Sequence, residues 1–171
     1  AVIDQVRAGD VPVIVTAIGT VTARSTAAAR ARVDGLLQGV SFREGQLVRA
    51  GDVIAQIDAL PFQAALQQAQ GQLAKDQAQL DSAKLDLVRY QKLLEQDSIA
   101  RQQVEAQAAL VKQLEGTLQA DRAQVATAQL NVGYTQVKAP ISGRTGLRQV
   151  DAGNMVRASD TNGIVIITEV Q

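Results

Sequence analysis

Acid-base, nucleophilic or metal chemistry in this 171-residue sequence would have to be built without cysteine or histidine, from 17 acidic and 17 basic side chains and two tyrosines. That removes the thiolate nucleophile, the disulfide, the imidazole base and the two commonest zinc ligands at once. Acid-base pairs among the remaining carboxylates and amines are the chemistry left to consider. The densest set is Lys75, Asp76, Asp81, Lys84, Asp86, Lys112, Glu115, Asp121 and Arg122. Its signs alternate along two stretches, which is how a solvated helix face reads rather than a catalytic cluster. Asp34 and Asp151 stand at Gly-centred turns and are expected to cap them through backbone amides. No catalytic constellation, metal site or cofactor site emerges, and the chain reads as a non-enzyme.

Composition narrows the partners. Formal charge is zero, so no basic field exists to hold a phosphate backbone, and nucleic acid is excluded as an expected partner. Aromatic residues make up 2% of the chain, too few for stacking platforms. No apolar run approaches the roughly 20 residues that span a bilayer. The sequence begins at Ala1 without a targeting segment, which suggests a processed or trimmed chain. The absence of cysteine leaves the compartment open.

The element that would position any functional residue is long. From Leu60 to Val132 the sequence turns to Gln, Ala, Leu and mixed charges, with no proline after Pro61, itself tolerable in a first helical turn. Leu66, Leu73, Leu80, Leu87 and Leu94 recur at every seventh position, and Val104, Val111, Leu118, Val125 and Val132 form a second such series. The interval Gln96, Asp97, Ser98 separates them. Leu94 with Val104, Leu87 with Val111, and so on to Leu66 with Val132, mirror about Ile99, as two antiparallel helices folded at one apex would. At about 1.5 Å per residue the arms reach on the order of 50 Å. Ala69, Ala83, Ala108 and Ala128 keep the seam narrow, and Asp76 and Asp121 interrupt it. Such a hairpin is expected to stand in solvent.

The flanks repeat each other. Gly35 matches Gly143, Gly45 matches Gly153, Val48-Arg49-Ala50 matches Val156-Arg157-Ala158, and Asp52 matches Asp160. Strands then follow at Val53 to Ile57 and Ile164 to Thr168. A half-sandwich of this kind cannot bury its own apolar face, whereas two together can. The predicted architecture is α+β: a lipoyl-like β-sandwich split by a long antiparallel α-helical hairpin. Residues 25–59 and 134–171 are the expected halves and 60–133 the hairpin. Residues 1–24, with a strand over Val11 to Val21, are expected to belong to a further membrane-proximal or β-barrel part. The junctions Asp58 to Leu60 and Tyr134 to Val137 are expected to flex, on the premise that few contacts cross them.

Val33-Asp34-Gly35 through Glu44-Gly45-Gln46-Leu47-Val48 to Gly51-Asp52, and Lys138-Ala139-Pro140-Ile141-Ser142-Gly143 through Gly153-Asn154, resemble the two lipoyl halves of the periplasmic adaptor, or membrane fusion protein, family. Arg89-Tyr90-Gln91-Lys92-Leu93-Leu94 resembles the tip signature of adaptors serving resistance-nodulation-division multidrug transporters. Arg89 and Leu93 match it; the signature usually ends in Ser where this chain has Ala100, with Ser98 nearby but out of register. The resemblance implies an adaptor bridging an inner-membrane efflux transporter and an outer-membrane channel, located in the periplasm at the inner membrane. It also implies self-association into a ring or tube, and a tip contact through Arg89, Leu93, Leu94, Ser98 and Ala100. The alternative is an adaptor of an ABC-type exporter or type I secretion system. A true lipoyl carrier would need a modifiable Lys on the tight turn between the halves, and the hairpin occupies that place.

Overall fold

The computed structural model describes residues 9, 10, 12–20 and 22–169. Four strands precede the hairpin: β1 (Thr26–Ala29), β2 (Gly35–Val40), β3 (Leu47–Val48) and β4 (Val53–Ile57). Helices α1 (Leu60–Glu95) and α2 (Arg101–Tyr134) follow, and then β5 (Gln136–Lys138), β6 (Gly143–Arg148), β7 (Met155–Val156) and β8 (Val165–Thr168). The strands make two antiparallel four-stranded sheets, ordered β1-β8-β6-β3 and β5-β4-β2-β7. Each sheet draws strands from both sides of the hairpin. Leu37, Ile54, Ile57, Val165 and Ile167 lie inward at 0% exposure, with Ile164 at 1% beside them; Ile54 and Ile57, three apart in β4, both do so because the pairing of that strand shifts register. Each such side chain contributes about 1.5–3 kcal/mol by leaving water.

The duplication seen in the sequence is a duplication of hydrogen bonds. Arg49 N–H donates to Asp52 Oδ2 at 2.8 Å, and Arg157 N–H donates to Asp160 Oδ2 at 2.9 Å. Gly45 N–H reaches Thr145 O at 2.9 Å, and its counterpart Gly153 N–H reaches Leu37 O at 2.8 Å. Both of these glycines sit at positive φ, 75° and 93°, where a side chain would be strained. Ala50 N–H donates to Ser142 Oγ at 2.9 Å, and Ala158 N–H to Asp34 Oδ1 at 2.7 Å. Each half thus fastens the other through equivalent groups. Asp34 therefore does not cap its own turn, as expected above, but bonds an amide of the opposite half. Asp151 pairs with the guanidinium of Arg148 at 2.9 Å instead.

Two further expectations concern the N-terminal segment and the junctions. Residues 1–8, 11 and 21 lie outside the described residues, and along 12–20 no strand forms. Val13, Ile14, Val15 and Ile18 are each more than 80% exposed there. β-propensity without a ladder partner does not make a strand, and none of the described strands pairs with this segment. The junctions also carry more bonds than a hinge should. Asp58 N–H donates to Leu36 O at 2.9 Å and Ile57 N–H to Thr135 O at 2.8 Å. Thr135 is 1% exposed, and its hydroxyl donates to Val132 O at 2.7 Å. Asp58 Oδ1 accepts both the Leu60 amide and Gln38 Nε2, each at 3.1 Å. The premise of few crossing contacts fails, because the short β5 and the end of β4 are themselves the hairpin's footing.

Candidate functional site

Helix-forming Ala, Gln, Leu, Lys and Glu sustain 36 residues of α1 and 34 of α2, and the antiparallel pairing holds them together. The buried seam centres on Leu80, Ala83, Val111, Leu114 and Leu118, with Leu73 and Leu87 packed against it. The expected layers Leu80 with Leu118 and Leu87 with Val111 lie in this cluster. The outer partners Leu66, Leu94, Val104, Val125 and Val132 are only half-buried. Leu114 was not among the expected seam residues, because it lies three residues off the heptad series rather than on it. Across the helices Lys84 Nζ meets Glu115 Oε1 at 2.8 Å, and Gln107 Nε2 donates to the Ala83 carbonyl at 3.0 Å. The first agrees with the fold-back about Ile99, whereas the second, whose residue numbers average 95, lies off that register.

At the apex, α1 ends in a reversal that closes on its own carbonyls. Asp97 adopts φ 54°; its amide donates to Leu94 O at 3.0 Å, and the Ser98 amide donates to Leu93 O at 2.9 Å. This is the helix-terminating arrangement normally given to glycine, here imposed on an aspartate, one of the few other residues that tolerate it. Ser98 Oγ turns back to Gln96 O at 3.2 Å. Ala100 then starts α2 from an extended conformation with no side-chain bond to the first-turn amides, and no acidic residue stands in that turn. The start of α2 is therefore left to solvent or to a partner.

The predicted tip residues take distinct places. Arg89 projects with its side chain 70% exposed, tied only to Asp86 Oδ1 at 3.2 Å among the described residues. Leu93 lies one helical turn nearer the apex and is half-buried rather than fully exposed; its carbonyl is part of the cap. Leu94 is half-buried on the seam, while Ser98 and Ala100 are exposed in the reversal. Arg89 and Leu93 share a helical row; Ser98 is tied to it through its amide bond to the Leu93 carbonyl, and Ala100 follows in the reversal. Sequence reasoning passed over Leu85 and Val88, 66% and 49% exposed just below Arg89. Their signal was an apolar pair three apart lying off the heptad series.

Nothing in this arrangement resembles a reaction centre. Among the described residues no group of three or more acidic side chains could hold a metal ion, and no helix is long and apolar enough to cross a membrane. At the hairpin base a cleft of about 490 Å³ opens beside Leu130 and Tyr134, where Arg32 stacks over the Tyr134 ring at 5.2 Å. The geometry defines a class: a duplicated sandwich that carries a long helical hairpin outward and presents its apex. The signature of the family described as "RND MFP, barrel-sandwich hybrid domain" matches residues 25–168, and the chain belongs to that family.

Known proteins agree with this. The chain is 53% identical over 163 residues to a multidrug resistance protein MdtA of Pectobacterium carotovorum, covering 95% of this chain and 40% of that protein. It therefore spans about two fifths of the length of that curated relative. A chimeric MacA-MexA structure containing the Pseudomonas aeruginosa MexA α-hairpin superposes with TM-score 0.61 at 27% identity, over 86% of this chain and 49% of the other. MacA from Actinobacillus actinomycetemcomitans gives TM-score 0.62 at 25% identity, over 86% and 50%.

Proposed function

We propose that this chain is the hairpin-bearing part of a non-enzymatic periplasmic adaptor in a tripartite multidrug efflux pump. It bridges an inner-membrane transporter of the resistance-nodulation-division class and an outer-membrane channel. The observation that carries the reading is the hairpin itself. Its paired helices of 36 and 34 residues bury a single thin seam, far more reach than the sandwich needs for stability. An element of that kind is useful for what its end touches. The name and the family shared by its relatives supply the context of drug resistance.

In this reading the sandwiches of several copies pack as a ring beneath a tube of hairpins, and the apex docks on the channel. Arg89 supplies a projecting cation and Leu93 an apolar contact one turn on. Leu94 holds the seam at the apex, while Ser98 and Ala100 form the surface of the reversal. Substrate passes without a chemical step, so no cofactor is required.

The test is drug susceptibility of an efflux-deficient Gram-negative strain carrying the full-length gene with its transporter, comparing wild type and Leu93→Asp at matched expression. Resistance restored by the wild type and lost in the variant is the expected result. Equal resistance in both removes the tip assignment. No resistance from either, with lost protein export instead, moves the chain to a secretion system.

A further inference from the structure

Midway along the hairpin the apolar seam is interrupted by two carboxyl groups, Asp76 of α1 and Asp121 of α2. Asp76 is 8% exposed and lies between the seam positions Leu73 and Leu80. Asp121 lies between Leu118 and Val125 on the facing helix. Gln72 Nε2 donates to Asp76 Oδ2 at 2.8 Å, but Oδ2 of Asp121 is buried without any donor. Only α1 and α2 meet here. The charged residues flanking the pair along the helices are Lys75 and Asp81 on α1 and Glu115 and Arg122 on α2. Lys75 and Arg122 are exposed, Asp81 accepts from Gln77, and Glu115 is taken by Lys84. Among the described residues no cation pairs with either carboxyl.

Two ionised carboxylates repel when one is buried and the other half-buried with one oxygen out of water, and neither can donate a hydrogen bond to the other. One proton resolves both problems, since a carboxylic acid donates to the carboxylate facing it. Burial first, then the hydrogen bond to Asp76 and then its charge, hold the carboxyl of Asp121 above the usual 3.8. We propose that Asp76 and Asp121 share a single proton that latches the middle of the hairpin, and that its loss loosens the helices there by like-charge repulsion. This device depends on the hairpin alone and stands whether or not the apex docks on a channel.

The sign follows from linkage. The folded hairpin binds this proton more tightly than the unfolded chain does. The stabilisation is fully present below 3.8 and is lost as pH rises from there through the raised value, after which it levels off. The other buried members of the seam are apolar.

Hydrogen exchange by mass spectrometry on the full-length protein tests this, followed from about pH 4 to about pH 8 and corrected for the intrinsic rate. Segments 72–80 and 118–125 should open about threefold or more over that range, with the sandwich unchanged. Asp121→Asn keeps the size and can donate but cannot ionise, and should abolish the rise; Asp76→Asn should do the same. A rise of equal size in both variants, or none in the wild type, overturns the proposal. Carboxyl carbon NMR of the wild type decides independently of any variant's folding. One member of the pair titrating above the ordinary aspartate range supports the shared proton, and two ordinary titrations sink it.

Discussion

The sandwich and the hairpin are built by one chain on opposite terms. In the sandwich two sheets face each other, several side chains reach 0% exposure, and equivalent hydrogen bonds tie the halves together twice over. In the hairpin two helices face only each other; the most buried seam residue, Leu80, keeps 3% exposure, and two acids interrupt the line. The difference teaches where stability and function were separately placed. A sandwich that anchors must resist, whereas a hairpin that reaches can be marginal and leave Leu85 and Val88 in solvent. The comparison also explains why the hairpin's footing is densely hydrogen-bonded. Thr135 and Asp58 lie where the two regimes meet, and they are bonded in the manner of the sandwich.

The largest expected effect is Gly143→Val. Gly143 opposes Val48 in the ladder between β3 and β6, and a Cβ there would press into the carbonyl of Thr168 in β8. That neighbour is backbone, so it cannot swing away as a side chain would. A loss on the order of 4 kcal/mol or more is expected, seen as loss of the cooperative unfolding transition in chemical denaturation. Near-normal stability would mean that strands β6 and β8 of one sheet can part cheaply, and the contrast between the two regions would collapse.

Leu118→Ala comes next. Leu118 is 4% exposed and belongs to the buried cluster of the seam. The expected cost is about 2 kcal/mol, at the low end for a buried leucine because the seam borders solvent and can close over the gap. Hydrogen exchange should accelerate in α1 and α2 and remain slow in β4, β6 and β8. Equal acceleration in the strands would show that hairpin and sandwich unfold as one unit.

Legibility followed the same divide. The heptad series and the mirror about Ile99 exposed the hairpin because a periodic seam is a local pattern, and the repeat at Gly35 and Gly143 exposed the sandwich. The strand β1 was not legible: Thr-Ala-Ala-Ala has little β character, and it becomes a strand only because β8 lies beside it. Along Pro12 to Thr20, Val and Ile promise a strand, and none of the described strands pairs with them. At the tip, Arg89 and Leu93 are singled out only by resemblance, and the left-handed Asp97 was not legible, since its conformation is dictated by the reversal and not by its own preference. The acid pair was visible as an interruption of the seam, yet only the packing shows an oxygen without a donor.

The smallest effect sharpens the comparison at two turns. In the sandwich Asp160 Oδ2 accepts the Arg157 amide at 2.9 Å, so Asp160→Ala removes a charge-assisted bond and should cost about 1 kcal/mol. In the hairpin the equivalent service is missing, because Ala100 begins α2 with no side-chain acceptor for its first amides. Ala100→Ser supplies one and should stabilise the hairpin by about 1 kcal/mol, read as slower exchange at the start of α2. If the serine instead left exchange unchanged, those amides would already be satisfied by water at no cost. The thin stability of the hairpin would then lie in its seam alone, where Asp76 and Asp121 interrupt it.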